Sequence, residues 1–178
     1  VLERTGGTEL RRIVYPERKI ASRVSEMGQE ITEVYPEDEP LLLVGLLKGS
    51  FIFMADLVRE IRRPAQVDFL VASSYGSAMT SSGDVQLLYD PEAELADKHV
   101  VLIEDIIDSG TTMNRLVPLF RDRGPRSLEI CALLHKHIAA DLVLEPRWVG
   151  FDAPGEFLIG YGLDHSEDFR NLPFIASL

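Results

Sequence analysis

Ile20, Val24, Met27, Ile31 and Val34 recur at steps of three and four residues. That spacing predicts an amphipathic helix from about Glu17 to Val34. Phe51, Met54, Leu57, Val58 and Ile61 predict a second helix, and Met113, Leu116, Val117 and Phe120 a third. Between them lie unbroken apolar runs, Leu41 to Leu47, Val100 to Ile103 and Leu128 to Leu134. Such runs read as strands covered on both faces, as in a parallel sheet. Val67 to Ser73 alternates in part and predicts another strand, with Val85 to Tyr89 returning beside it as a ribbon. Phe157 to Gly162 reads as a last strand. Val1 to Pro16 is a loop or an edge strand, and Leu172 to Leu178 packs down. Strands alternating with helices give an α/β fold with a mainly parallel sheet flanked by helices.

The polar residues that punctuate these runs carry the chemistry. The central run ends in Glu104-Asp105, then Ile106-Ile107, then Asp108-Ser109-Gly110-Thr111-Thr112 before the third helix. Open α/β sheets take ligands outside the carboxyl ends of their strands. A loop of small residues opening a helix aims backbone N–H groups and the positive end of the helix dipole at one point, which suits a phosphate. Ser109, Thr111 and Thr112 add hydroxyl donors, and adjacent carboxylates are hard oxygen ligands for Mg²⁺. The chain contains neither G-x-x-x-x-G-K-[ST] nor G-x-G-x-x-G, so the P-loop and the dinucleotide fingerprint are excluded. A plainer role for Asp108 is to cap the following helix. The run from Leu41 to Leu47 feeds its helix through Lys48-Gly49-Ser50, and the run ending at Leu134 presents His135-Lys136-His137. His-x-His without a third ligand does not define a metal site. Ser74 to Gly83 is rich in small residues and reads as a surface loop.

Charge and cysteine content narrow the partners. There are 18 Lys and Arg against 29 Asp and Glu, a formal net charge of −11. That balance argues against general nucleic-acid binding, which needs basic patches. It leaves room for phosphate ligands held by local donors. The one cysteine, Cys131, cannot form an intrachain disulfide and lies in an apolar run, as a small core residue does. No apolar run approaches membrane-spanning length. The expectation is a single domain over residues 1–178, in the cytoplasm.

The string E-D-I-I-D-S-G-T-T resembles the phosphoribosyl-pyrophosphate motif of type I phosphoribosyltransferases, and its double isoleucine resembles the hypoxanthine-guanine branch. The resemblance implies that family's fold, with a small hood built from the N-terminal segment and Arg147 to Leu178. It implies purine salvage: transfer of 5-phosphoribosyl from phosphoribosyl pyrophosphate to hypoxanthine or guanine, with Mg²⁺ as cofactor. Asp108 becomes the general base at purine N7, and Asp108 to Thr112 the cradle of the 5′-phosphate. Glu104 and Asp105 sit by the ribose hydroxyls and the metal. Lys48 and Gly49, after a non-proline cis peptide, and Arg170 face pyrophosphate, while Ser74 and Tyr75 belong to the closing loop. Lys136 meets the 6-oxygen of the purine; an ammonium only donates, so it mismatches the 6-amino group of adenine. Trp148 stacks on the base, and Val149 offers backbone groups to its edge.

The chain departs from the family pattern at Pro154-Gly155-Glu156-Phe157, where Gly155 replaces an Asp that helps hold a second metal. Glu156 is the neighbouring carboxylate. Relatives assemble as homodimers or homotetramers, and the same is expected here. A xanthine-preferring enzyme and an RNA-binding regulator are the alternatives on this fold.

Overall fold

The computed structural model describes residues 4–73, 86–137 and 141–178. Its main sheet has six strands in the order β4-β3-β2-β5-β6-β7. In chain order these are β2 (Leu41–Leu47), β3 (Gln66–Ser73), β4 (Gln86–Tyr89), β5 (His99–Ile107), β6 (Ser127–His135) and β7 (Trp148–Asp152). β2, β3, β5, β6 and β7 run parallel, and β4 turns back antiparallel along β3 at the edge. The helices are α1 (Glu17–Val34), α2 (Phe51–Glu60) and α3 (Thr111–Arg121).

The apolar runs are continuous because both faces of the sheet are covered. Successive strand residues point to opposite faces. Leu41, Leu43, Val101 and Ile103 therefore join the core shared with α1 and α2, while Leu42, Val44, Val100 and Leu102 join the core under α3. α1 buries Ile20, Val24, Met27 and Ile31. α2 and its C-terminal cap bury Met54, Leu57 and Ile61 of the expected face, but Phe51 is exposed and Phe53 is fully buried in its stead. Phe51 is the first residue of α2, so it projects from the helix end instead of onto the sheet.

A second, antiparallel sheet of three strands in the order β1-β9-β8 forms the hood. It joins β1 (Arg12–Tyr15) to β8 (Leu158–Ile159) and β9 (Ile175–Ser177). The expected last strand over Phe157 to Gly162 is thus only two residues long. Gly160, Tyr161 and Gly162 all have positive φ, of 95°, 52° and 100°, which ends the extended run. The Leu172 to Leu178 segment packs down as expected and supplies the true last strand, β9, buried at the centre of the hood sheet.

At the opposite end of the main sheet, His99 lies 2.5 Å from Glu39 and 2.6 Å from Ser127, and Arg126 pairs with Glu39 at 2.8 Å. This network ties the starts of β5 and β6 to the loop before β2. No helix among the described residues is long and apolar enough to cross a membrane.

Candidate active site

The carboxyl ends of β2, β5 and β6 converge, as the parallel order requires. β5 reaches Ile107, so Glu104 and Asp105 belong to its last turns of pleat and not to a loop beyond it. Glu104 is buried. Burial first, and the neighbouring Asp105 charge second, push its carboxyl well above the usual range. Asp105 is half-buried and meets the next loop. Gly49 lies so close that a β-carbon on it would overlap the Asp105 carboxylate. Only glycine permits that approach. The peptide between Leu47 and Lys48 is cis. Ser50, fully buried, donates to the Leu46 carbonyl at 2.5 Å and fixes the loop as it enters α2.

After Ile107, Asp108 and Ser109 lead to Gly110, the N-terminal cap of α3, in left-handed conformation at φ 77°. Gly110 has no side chain with which to cap this helix. Asp108 instead accepts from Lys136 Nζ at 3.1 Å. The simple capping role is thereby excluded, and among the first N–H groups of α3 only that of Thr111 meets a side chain of the described residues, Ser109 Oγ at 3.5 Å. Ser109 Oγ and Thr111 Oγ1 lie 3.0 Å apart on the same turn. The backbone N–H of Lys136 donates to the Ile107 carbonyl at 3.0 Å, which seats it beside the end of β5.

Flanking histidines do not join this cluster. Burial, then the adjacent His137, lower the pKa of His135, so it stays neutral. His137 pairs with Asp152 at 2.5 Å. Among the described residues, no group of three or more His, Cys, Asp or Glu has a metal-holding arrangement.

The purine platform needs correcting. Trp148 is only 3% exposed and packs in the core against Tyr35, with ring centroids 6.2 Å apart. It pairs in register with buried Cys131, so its indole points into the α1 side of the sheet and offers no free face. The Val149 carbonyl accepts from Arg23 at 3.0 and 3.3 Å and is not open to a base. Phe157 is the exposed aromatic of the hood, at 55%, set edge-on to His165. Sequence reading passed over Phe157 because it opened an apolar run; its polar neighbour Glu156 was the available signal.

The hood acid also differs from expectation. Glu156 is tied to Arg11 and Arg12 and faces β1. Asp164 instead lies in the loop beside Arg170, 2.8 Å from its guanidinium. Arg170 further donates to the Gly162 carbonyl at 2.8 Å and lies 3.5 Å from Glu167, which pairs with Lys48 at 2.9 Å. Arg170 is therefore held within the hood loop and is linked to Lys48 through Glu167. The dense acids of D-H-S-E-D, residues 164–168, were the overlooked signal. Ser74 and Tyr75 lie outside the described residues.

Comparison with known proteins gives the same answer as the geometry. Residues 13–166 match the family model of the phosphoribosyl transferase domain. The chain is 43% identical over 167 residues to the hypoxanthine phosphoribosyltransferase of Salmonella typhimurium, covering 93% of this chain and 94% of that one. It is 42% identical over 171 residues to the hypoxanthine-guanine phosphoribosyltransferase of Dictyostelium discoideum, covering 94% and 95%. A crystal structure of a hypoxanthine-guanine phosphoribosyltransferase from Bacillus anthracis superposes with a TM-score of 0.89 at 40% identity, covering 96% of this chain and 99% of that one. An acid–lysine pair at the ends of two parallel strands, a glycine-capped helix start beside it and this likeness together show that the chain belongs to the phosphoribosyltransferase family, on its hypoxanthine-guanine branch.

Proposed function

We propose that the protein transfers the 5-phosphoribosyl group of phosphoribosyl pyrophosphate to hypoxanthine or guanine, releasing pyrophosphate, as a step of purine salvage. The observation that carries this reading is the Asp108–Lys136 pair beside the open start of α3. In the reaction the C1′–O bond to pyrophosphate breaks and the N9–C1′ bond forms. The anomeric carbon gains oxocarbenium character, as at other glycosyl centres. Asp108 accepts the N7 proton, which leaves N9 the better nucleophile. Lys136 donates to the 6-oxygen. Ser109, Thr111, Thr112 and the first amides of α3 hold the 5′-phosphate, with Gly110 letting the backbone approach.

Phe157, in place of Trp148, supplies the ring face for the purine. Lys48, the Gly49 amide and Arg170 serve the pyrophosphate. Excluding water, which would compete as nucleophile, is the role we assign to Ser74 and Tyr75.

Glu104 and Asp105 fit Mg²⁺: they are adjacent oxygen donors, and burial first, then their mutual charge, raises the cost of leaving both ionised without a cation. The ion, when bound, offsets charge that develops on the leaving group. Asp164 is the hood carboxylate available to a second ion. A cytoplasmic location agrees with one buried, unpaired cysteine. A homodimer or homotetramer is the assembly we assign.

Incubating the protein with labelled hypoxanthine, phosphoribosyl pyrophosphate and Mg²⁺ tests the reading. Nucleotide and pyrophosphate should form in equal amounts and cease on chelation. Comparing kcat/KM for hypoxanthine, guanine, xanthine and adenine ranks the bases, with adenine last.

A further inference from the structure

We infer that Tyr161 is a positioning residue for pyrophosphate: its hydroxyl, held by Asp56, keeps the hood loop seated on Gly49. This rests on the phosphoribosyl-transfer reading above.

Tyr161 donates to Asp56 Oδ2 at 2.6 Å. Its ring is buried in the core on the α1 and α2 side of the sheet. Asp56 lies on α2, the helix that begins two residues after Gly49. The hydrogen bond therefore joins the hood to the same rigid element that carries the Lys48-Gly49-Ser50 loop. Burial first, then the bond to Asp56, push the Tyr161 phenol up, so it stays a donor at neutral pH.

The next residue shows what this bond controls. Gly162, at φ 100°, lies against the Gly49 carbonyl, and a β-carbon there would overlap that oxygen. Its N–H donates to the Arg170 carbonyl at 3.0 Å, and its carbonyl accepts from Arg170 Nη1 at 2.8 Å. Tyr161 itself takes a left-handed backbone at φ 52°, which a side chain disfavours. Its N–H donates to the Leu172 carbonyl at 2.8 Å. The backbone is thus bent against its preference at the point where hood meets loop, with a side-chain bond to α2 holding it there. Arg170 is anchored to Gly162, Gly162 is seated on Gly49, and Gly49 touches Asp105. The position of the first link depends on Tyr161.

Tyr161→Phe removes only the hydroxyl and leaves the ring in its packing. Asp56 is partly exposed and also pairs with Arg59, so water solvates the freed carboxylate. A displaced loop misplaces the groups that hold the leaving group, while the purine contacts at Asp108 and Lys136 are untouched. The KM for phosphoribosyl pyrophosphate should rise roughly tenfold, with product inhibition by pyrophosphate weakened in parallel, while the KM for hypoxanthine stays within about twofold. Asp56→Ala should reproduce this. Asp56→Asn should rescue it, because an amide oxygen still accepts from the phenol. The double variant Tyr161→Phe/Asp56→Ala should be no worse than either single one.

An active wild type whose Tyr161→Phe variant keeps the same KM for phosphoribosyl pyrophosphate overturns the inference alone. Equal losses for both substrates, accompanied by a lower melting temperature, also overturn it, because they mark general loosening. A wild type that forms no nucleotide overturns the phosphoribosyl-transfer reading and this inference with it.

Discussion

Lys136 Nζ lies 3.1 Å from Asp108 Oδ2, so the cation at the end of β6 and the acid at the end of β5 hold each other. The Lys136 side chain is 18% exposed and that of Asp108 is 55% exposed. The lysine is thus the partner whose charge most needs compensation, and the acid keeps water contact. A purine entering between them meets a donor and an acceptor already aligned.

Asp108→Asn keeps the size of the side chain and abolishes its basicity. We expect kcat/KM for hypoxanthine to fall by about 10²–10⁴-fold, the usual contribution of a positioned acid–base group, with an unchanged melting temperature. Steady-state kinetics checks it; wild-type turnover removes Asp108 from the proton transfer.

Lys136→Ala frees a carboxylate that is already half in water, so stability should change by less than about 1 kcal/mol. The purine loses a donor facing its 6-oxygen, which should weaken transition-state binding by roughly 1–3 kcal/mol. The discrimination between hypoxanthine and adenine should narrow in the same measurement. If kcat/KM for hypoxanthine is undiminished, base recognition lies elsewhere.

Gly49→Ala places a methyl group where the Asp105 carboxylate now sits. Either the loop or the acid must move by an ångström or more. Misplacement on that scale costs about 10²-fold in rate. The loss should appear in kcat/KM for phosphoribosyl pyrophosphate, and a variant with full activity would show that the contact is dispensable.

Trp148 and Phe157 should separate cleanly. Trp148→Ala removes a buried ring from the core and should lower stability by about 3–5 kcal/mol. Phe157→Ala removes an exposed ring, so its melting temperature should hold while the KM for hypoxanthine rises. Denaturant unfolding and kinetics on the two variants decide this. The reverse pattern would restore Trp148 to the base.

Acid should weaken the fold through paired carboxylates. The hydrogen bond from His99, and then Arg126, hold Glu39 below its usual range. A carboxyl whose folded pKa is lowered contributes stability above its unfolded pKa and loses it as pH falls through the folded value. Melting temperature should therefore drop as pH goes from about 5 toward 3. Glu39→Gln should flatten that slope. Glu156 and Glu167 are lowered in the same direction, by Arg12 and Lys48 respectively, so some slope remains.

Much of this was legible before any coordinates. α1 spans Glu17–Val34, the bounds its spacing predicts, because one covered face imposes a helical period. β2, β5 and β6 were readable because strands covered on both faces tolerate only apolar residues. The hood was not. β8 is two residues long, and the left-handed turn at Tyr161 leaves no periodic trace. Trp148 was misassigned because alternation shows that a strand has two faces and not which one meets solvent. Its burial depends on pairing with Cys131, a contact across 17 positions of chain. Asp164 was passed over because it is placed by a hood loop whose Gly162 and Glu167 fold back onto Gly49 and Lys48, and Phe157 because it meets His165 eight residues on.

Binding of IMP against inosine, measured by calorimetry, tests the central claim that the Asp108 to Thr112 turn grips a sugar 5′-phosphate. The two ligands differ only in that phosphate. IMP should bind at least about tenfold tighter, since hydrogen bonds to a charged group contribute more than neutral ones. That advantage should shrink in Thr112→Val. Equal affinities for IMP and inosine would contradict the account.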